Sequence, residues 1–175
     1  MFRAILATAL MVPTIALAAG GGSAPEPTET TKTCTDGKVW DKKTKSCVTA
    51  ATETLDDDTL YAAVRELAHD GQIIHAQNVL REMSDQTEDR VLTYWGFTHR
   101  KAGDMALGMA YYSKALEKTP TNILARSYMG QALVEQGDLV GAREQLLIIR
   151  DQGGAGTWAE ASLREAITTG VSYAY

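Results

Sequence analysis

The side chains able to carry chemistry are few. The chain holds three histidines (His69, His75 and His99), two cysteines (Cys34 and Cys47) and one run of three consecutive carboxylates, Asp56-Asp57-Asp58. Metal-dependent hydrolysis needs two histidines one helical turn apart with a glutamate between them, and none of the three stands in that arrangement. Two thiols with no histidine or third cysteine nearby leave a zinc coordination sphere unfinished. The aspartates lack the later glycine and glutamate of a calcium loop. They stand just before the apolar-periodic run Leu60, Ala63, Val64, Leu67, where carboxylates accept hydrogen bonds from the unpaired first-turn N–H groups and suit the positive helix end. No G-x-S-x-G elbow, phosphate-binding loop or dinucleotide fingerprint occurs. The expectation is a protein with no catalytic residues, no metal and no cofactor.

Composition sets the frame for those residues. With 175 residues, 45% hydrophobic and 22% charged, the chain has room for one globular domain with extensions, and disorder throughout is excluded. A net charge of -5 argues against nucleic acid as the main ligand, because phosphate binding needs a basic surface that releases counterions.

Residues 1–19 carry one early positive charge, an apolar run from Ala4 to Leu17 and small residues at Ala16 and Ala18. That is the pattern of a cleavable secretory signal, and the run is too short, and broken by Pro13, for a membrane span. The protein is expected to be exported, periplasmic or secreted, with no integral membrane segment after signal removal. Residues 20–33, rich in Gly, Pro, Thr and Glu, offer nothing large and apolar to bury and are read as a flexible linker. Residues 34–48 hold both cysteines, whose even count in an exported chain predicts a Cys34–Cys47 disulfide. Val39-Trp40 and Ser46 to Val48 are the two short strands of a stapled hairpin. It serves as a small cap or spacer, or, in a second reading, as an adhesive module with Trp40 stacking on a sugar ring among Lys38, Lys42, Lys43 and Lys45.

The elements that position everything else are helical. Leu92, Trp95, Gly96 and His99 keep one helix face, and Met105, Gly108, Met109, Tyr112, Ala115 and Leu116 keep another after the Gly103-Asp104 turn. Such a pair cannot bury both stripes alone. Turns at Asp70-Gly71, Gly103-Asp104 and Gly137-Asp138 divide the rest into units 57–88, 89–122 and 123–152, with glycine spacings of 32 and 34 residues. Thr157-x-x-Glu160 then opens a capping helix at 157–169 through a capping box, and a tail follows at 170–175. His69 falls near the end of a first helix, where partial positive charge suits the dipole.

A 34-residue period built from two helices resembles the tetratricopeptide repeat. The second unit carries the pattern throughout: Leu92, Trp95-Gly96 and His99, then Gly108, Tyr112, Ala115 and Pro120. The third offers Arg126, Met129-Gly130, Leu133, Ala142, Leu146 and Ile149; the first offers Leu60, Ala63-Val64, Leu67, Ala76, Leu80 and Met83. Val64 stands in place of glycine, and Arg126 in place of a large apolar residue. The resemblance implies an all-α solenoid of about three antiparallel helical hairpins between residues 55 and 152, closed by the capping helix. It further implies a concave groove lined by Tyr61, Arg65 and Ala68, by Thr93, Phe97, Arg100 and Lys101, and by Ser127, Gln131 and Val134. Two aromatics beside three cations suit a peptide that brings carboxylates and one apolar side chain. The family's clamp for chaperone tails is not reproduced, since Tyr61, Arg65, Tyr94, Leu124 and Tyr128 stand at its main positions. The expected role is a non-catalytic adaptor that binds a protein or peptide segment. The rivals are wall-carbohydrate association through the Trp40 hairpin and a structural subunit of an envelope assembly.

Overall fold

The computed structural model describes residue 24 and residues 26–172; the expected signal segment, the start of the linker and the end of the tail lie outside the described residues. The described chain is mostly helical, with one small two-stranded sheet. After the one-turn helix α1 (Glu29–Thr33) come β1 (Val39–Asp41) and β2 (Ser46–Val48). Three helix pairs follow: α2 (Asp57–His69) with α3 (Ile73–Glu82), α4 (Asp89–Lys101) with α5 (Met105–Lys118), and α6 (Ile123–Glu135) with α7 (Leu139–Ile149). A π-helical turn at Arg150–Gly154 leads into α8 (Trp158–Thr169).

Short-range chemistry sets the helix boundaries. Side-chain oxygens of Asp56, Asp104, Asn122, Asp138 and Thr157 accept from backbone N–H groups in the first turns of α2, α5, α6, α7 and α8. Within each pair the first helix ends in one shared form. Gly71, Gly103 and Gly137 sit at φ of 79°, 93° and 82°, and the N–H of the following residue reaches back to the carbonyl of Leu67, His99 or Leu133. This is the six-to-one bond of a Schellman end, which requires a left-handed residue and so favours glycine.

Packing brings each pair against the next. Within the second pair, a Cβ on Gly96 would lie 2.5 Å from the buried Tyr112 ring, so glycine is what lets α4 and α5 approach. First helices also touch in series, α2 with α4, α4 with α6 and α6 with α8. The main core, which includes Leu60, Val64, Leu67, Val79, Leu80, Tyr94, Phe97 and Tyr112, is continuous across the pairs. Helix α8 covers the far side. Its Leu163 packs with Leu146 and Ile149, while Ser127 Oγ donates to the Ala159 carbonyl at 2.7 Å and Gln131 Nε2 donates to Ser162 Oγ at 3.0 Å.

The near side corrects the expectation of a flexible linker running up to the hairpin. Cys34 and Cys47 are disulfide-bonded, with β1 and β2 paired in antiparallel register Val39 to Val48. The hairpin is seated on the helices: Val39 is fully buried in the main core, and the backbone at Gly37 lies against the ring of His75 on α3. Residues 29–33, expected within a flexible linker, form α1, which is tied to α2 through Glu66. Glu66 Oε1 accepts from Thr28 N (2.5 Å), Thr31 N (2.9 Å) and Thr31 Oγ1 (2.5 Å), and its Oε2 accepts from Thr28 Oγ1 (2.6 Å). The linker reading counted apolar residues, whereas this docking is carried by hydroxyl and amide donors meeting one buried carboxylate.

Candidate functional site

The residues nominated for a groove lie on α2, α4 and α6, and the structure brings them onto one continuous face without leaving them equally accessible. Thr93, Phe97, Arg100, Ser127 and Gln131 are buried. Thr93 Oγ1 donates to the Asp89 carbonyl at 2.7 Å and accepts from Asn122 Nδ2 at 3.2 Å. Ser127 and Gln131 are spent on α8, as described above. Ala68 and Val134 are buried as well, and Tyr61, Arg65 and Lys101 are half-buried.

Beneath these three lies an aromatic cluster. Phe97 stacks on His69 at 4.9 Å between centroids and meets Tyr128 at 4.8 Å, and Tyr94 meets Tyr61 edge-on at 5.6 Å. Trp158 of α8 closes the group, 5.8 Å from His69 and 6.4 Å from Tyr128. A hydrogen-bonded triangle sits at its centre: His69 Nε2 is 2.8 Å from Tyr128 Oη and 3.4 Å from Tyr94 Oη, with the two hydroxyls 3.3 Å apart. Edge-to-face and offset contacts of this kind add stability beyond area burial, and they fix the rings in place.

Cations surround the cluster. The Arg65 guanidinium lies 5.9 Å from the Tyr61 ring, and Lys101 Nζ and the Arg100 guanidinium lie 5.8 Å and 5.6 Å from Phe97. Arg100 is buried and paired with Glu135 Oε1 at 2.9 Å, and the Ser172 hydroxyl donates to the same carboxylate oxygen. Burial, followed by the charge of Arg100, draws the Lys101 ammonium below its ordinary range. Burial also raises the Tyr61 and Tyr94 phenols and takes Tyr112 up to about 12, so all three are neutral at physiological pH.

His69 responds most. Burial first, then the positive charges of Arg65, Lys101 and Arg100, bring its imidazole down to about 3 from the ordinary 6.5. The folded state therefore holds a neutral ring where the unfolded chain takes up a proton below about pH 6.5, and stability falls as pH drops through that window. Between pH 7 and pH 5 the loss from this one group is about 2 kcal/mol. Urea unfolding at the two pH values should show that loss in the native chain, and His69→Gln should remove most of the difference. An unchanged slope in the variant would place the sensitivity elsewhere.

The remaining histidines have structural surroundings. His75 Nδ1 is 2.9 Å from Gln72 Oε1, and His99 stacks with Trp95 and Tyr111 on the surface between α4 and α5. Among the described residues no group of three or more His, Cys, Asp or Glu side chains is placed to hold a metal ion.

No family model, curated protein sequence or solved structure matches this chain. The site is therefore read from its own geometry: an aromatic floor with a hydrogen-bonded centre, bordered by basic groups, on the face formed by the first helix of each pair. Sequence reasoning missed His69, Tyr94, Tyr128 and Trp158 as its centre. One signal was present in the chain, since Tyr94 and Tyr128 stand 34 residues apart at equivalent places in the second and third units.

Proposed function

We propose that this chain is a tetratricopeptide-like adaptor that binds an acidic segment of another protein across the α2, α4 and α6 face. Three kinds of observation support the family reading: the repeated Schellman turns at 32- and 34-residue spacing, the close approach of α4 to α5 at Gly96, and the serial contact of first helices. The carrying observation for binding is the half-buried pair Arg65, beside the Tyr61 ring, and Lys101, beside the Phe97 ring, at the edge of the aromatic cluster. Positive charge at the rim selects carboxylates, and a prearranged aromatic floor accepts an apolar side chain with little ordering cost. The disulfide fits an oxidising compartment, which agrees with export to the periplasm or beyond. No helix among the described residues is long and apolar enough to cross a membrane.

A random peptide display library selected on the immobilised full chain tests the proposal. The expected result is enrichment of segments with carboxylates flanking one apolar residue, with retention on Arg65→Glu/Lys101→Glu reduced at least about tenfold, as loss of two charge-assisted contacts implies. Enriched peptides that bind the charge-reversed protein equally well would overturn it. Phe97 is unsuited to this test, because its burial makes any truncation a change in the core.

A further inference from the structure

A cleft of about 360 Å³ opens between the docked hairpin and α2, on a different side of α2 from Tyr61 and Arg65 but joined to Tyr61 through Arg90, which pairs with Asp58 and lies 4.9 Å from the Tyr61 ring. Trp40 of β1 lines it, half-buried, together with the methyl groups of Ala62 and Ala63. Its charged lining is unequal: Glu29, Asp56, Asp58 and Glu66 against Lys42 alone.

Glu66 is the decisive member. It is only 5% exposed, yet among the described residues no Lys, Arg or His lies within ion-pair distance of it. Its stabilisation comes from the neutral donors of Thr28 and Thr31, three of them on Oε1 and one on Oε2, so Oε2 keeps acceptor capacity. Four hydrogen bonds satisfy the Glu66 carboxylate in place of a counter-ion, and the carboxylates of Glu29, Asp56 and Asp58 stand exposed around the cleft. Asp56 has one oxygen engaged as the α2 cap, at 2.8 Å from Thr59 N, and Asp58 pairs with Arg90 while remaining 85% exposed. The cleft thus joins the Trp40 indole, a buried carboxylate held by neutral donors alone, and a rim richer in carboxylates than in amines.

We infer that this cleft binds an ammonium or guanidinium group carried on an aliphatic stem. The stem lies along Trp40 and the alanine methyls, the cation takes the indole's electron-rich face, and the carboxylates supply the counter-charge. Two sources share that chemistry: a lysine or arginine side chain of a partner protein, and a free polyamine. A neutral sugar would also stack on Trp40, but it draws nothing from the carboxylates of Glu29 and Asp56 beside it. The inference is independent of the α2, α4 and α6 face, and each survives failure of the other.

The test is a titration of the full-length, isotope-labelled chain followed by amide and indole NMR shifts. The probes are blocked lysine, blocked arginine, spermidine, blocked norleucine as the uncharged isostere of lysine, and chitotetraose. The cationic probes should give saturable shifts at the Trp40 indole and at the amides of Ala62 to Glu66, with Kd in the millimolar range or tighter. Tighter binding of the blocked residues points to a basic segment of a partner; tighter binding of spermidine points to a free polyamine. Trp40→Ala should weaken binding about fivefold or more. Asp56→Asn should weaken it while keeping the α2 cap, because asparagine caps as well as aspartate. Lys42→Glu lies on the exposed rim and should tighten it, which keeps the idea testable should Trp40→Ala fail to fold. Norleucine matching lysine, chitotetraose alone shifting Trp40, or no saturation with any cation would each overturn the inference.

Discussion

Replacing Leu163 with alanine lowers the unfolding free energy by about 3 kcal/mol. Leu163 is fully buried, and it joins Leu146 and Ile149 in the cluster that binds α8 to the third helix pair. Opposite it lies Gly130, where a Cβ would sit only 2.6 Å from the leucine side chain, so no neighbouring atom stands ready to fill the space the leucine leaves. Truncation therefore loses the transfer energy of the side chain and leaves a cavity that the backbone of α6 cannot collapse into without repacking. Urea denaturation followed by circular dichroism measures the effect. Arg164→Ala, one residue on and exposed, should stay within about 0.5 kcal/mol of the native chain. A loss below about 1 kcal/mol at Leu163 would mean that α8 is not a packed element of the domain.

Removing the disulfide as Cys34→Ser/Cys47→Ser is expected to cost about 3 kcal/mol, the loop-closure term for a sequence separation of 13 residues. The effect should be local in its readout. Hydrogen exchange at Val39 to Asp41 should accelerate strongly, because two three-residue strands cannot hold register without the covalent tie. With Val39 withdrawn from the core and α1 released from Glu66, the amides of α2 should lose part of their protection. Those of α6 and α7 should keep theirs. Equal loss in all helices would show that the hairpin is integral to the whole core rather than a cover for its first pair.

How much of this was legible in the sequence follows the range of the interactions involved. The helix ends were, because a Gly-Asp or Thr-x-x-Glu turn is decided within four or five residues of chain. The Cys34–Cys47 bridge was, because a chain with two cysteines admits one internal pairing. The accessibility of the α2, α4 and α6 face was not. Ser127 and Gln131 look like solvent-facing polar positions until α8, some 30 residues later, supplies the carbonyl of Ala159 and the hydroxyl of Ser162. Phe97 likewise becomes core only when His69 from the preceding pair and Tyr128 from the following one close on it. The docking of residues 28–33 escaped for another reason. Threonine-rich segments are judged by what they cannot bury, and here a single buried glutamate offers them hydrogen bonds in place of apolar area.

Helix α8 also fixes where this architecture is free to lengthen. Ala159, Ser162, Leu163 and Ala166 take the contact surface that a further helix pair would need, while Arg164, Glu165, Thr168 and Thr169 turn outward. An extra pair copied after α8 would meet charge and hydroxyls and find no apolar seat. The same pair spliced between Ile149 and Trp158 would meet Leu146 and Ile149 on one side and the inner face of α8 on the other. On this packing, a helix pair inserted before α8 keeps the existing seat of the last helix, whereas one added after it has to build a new one.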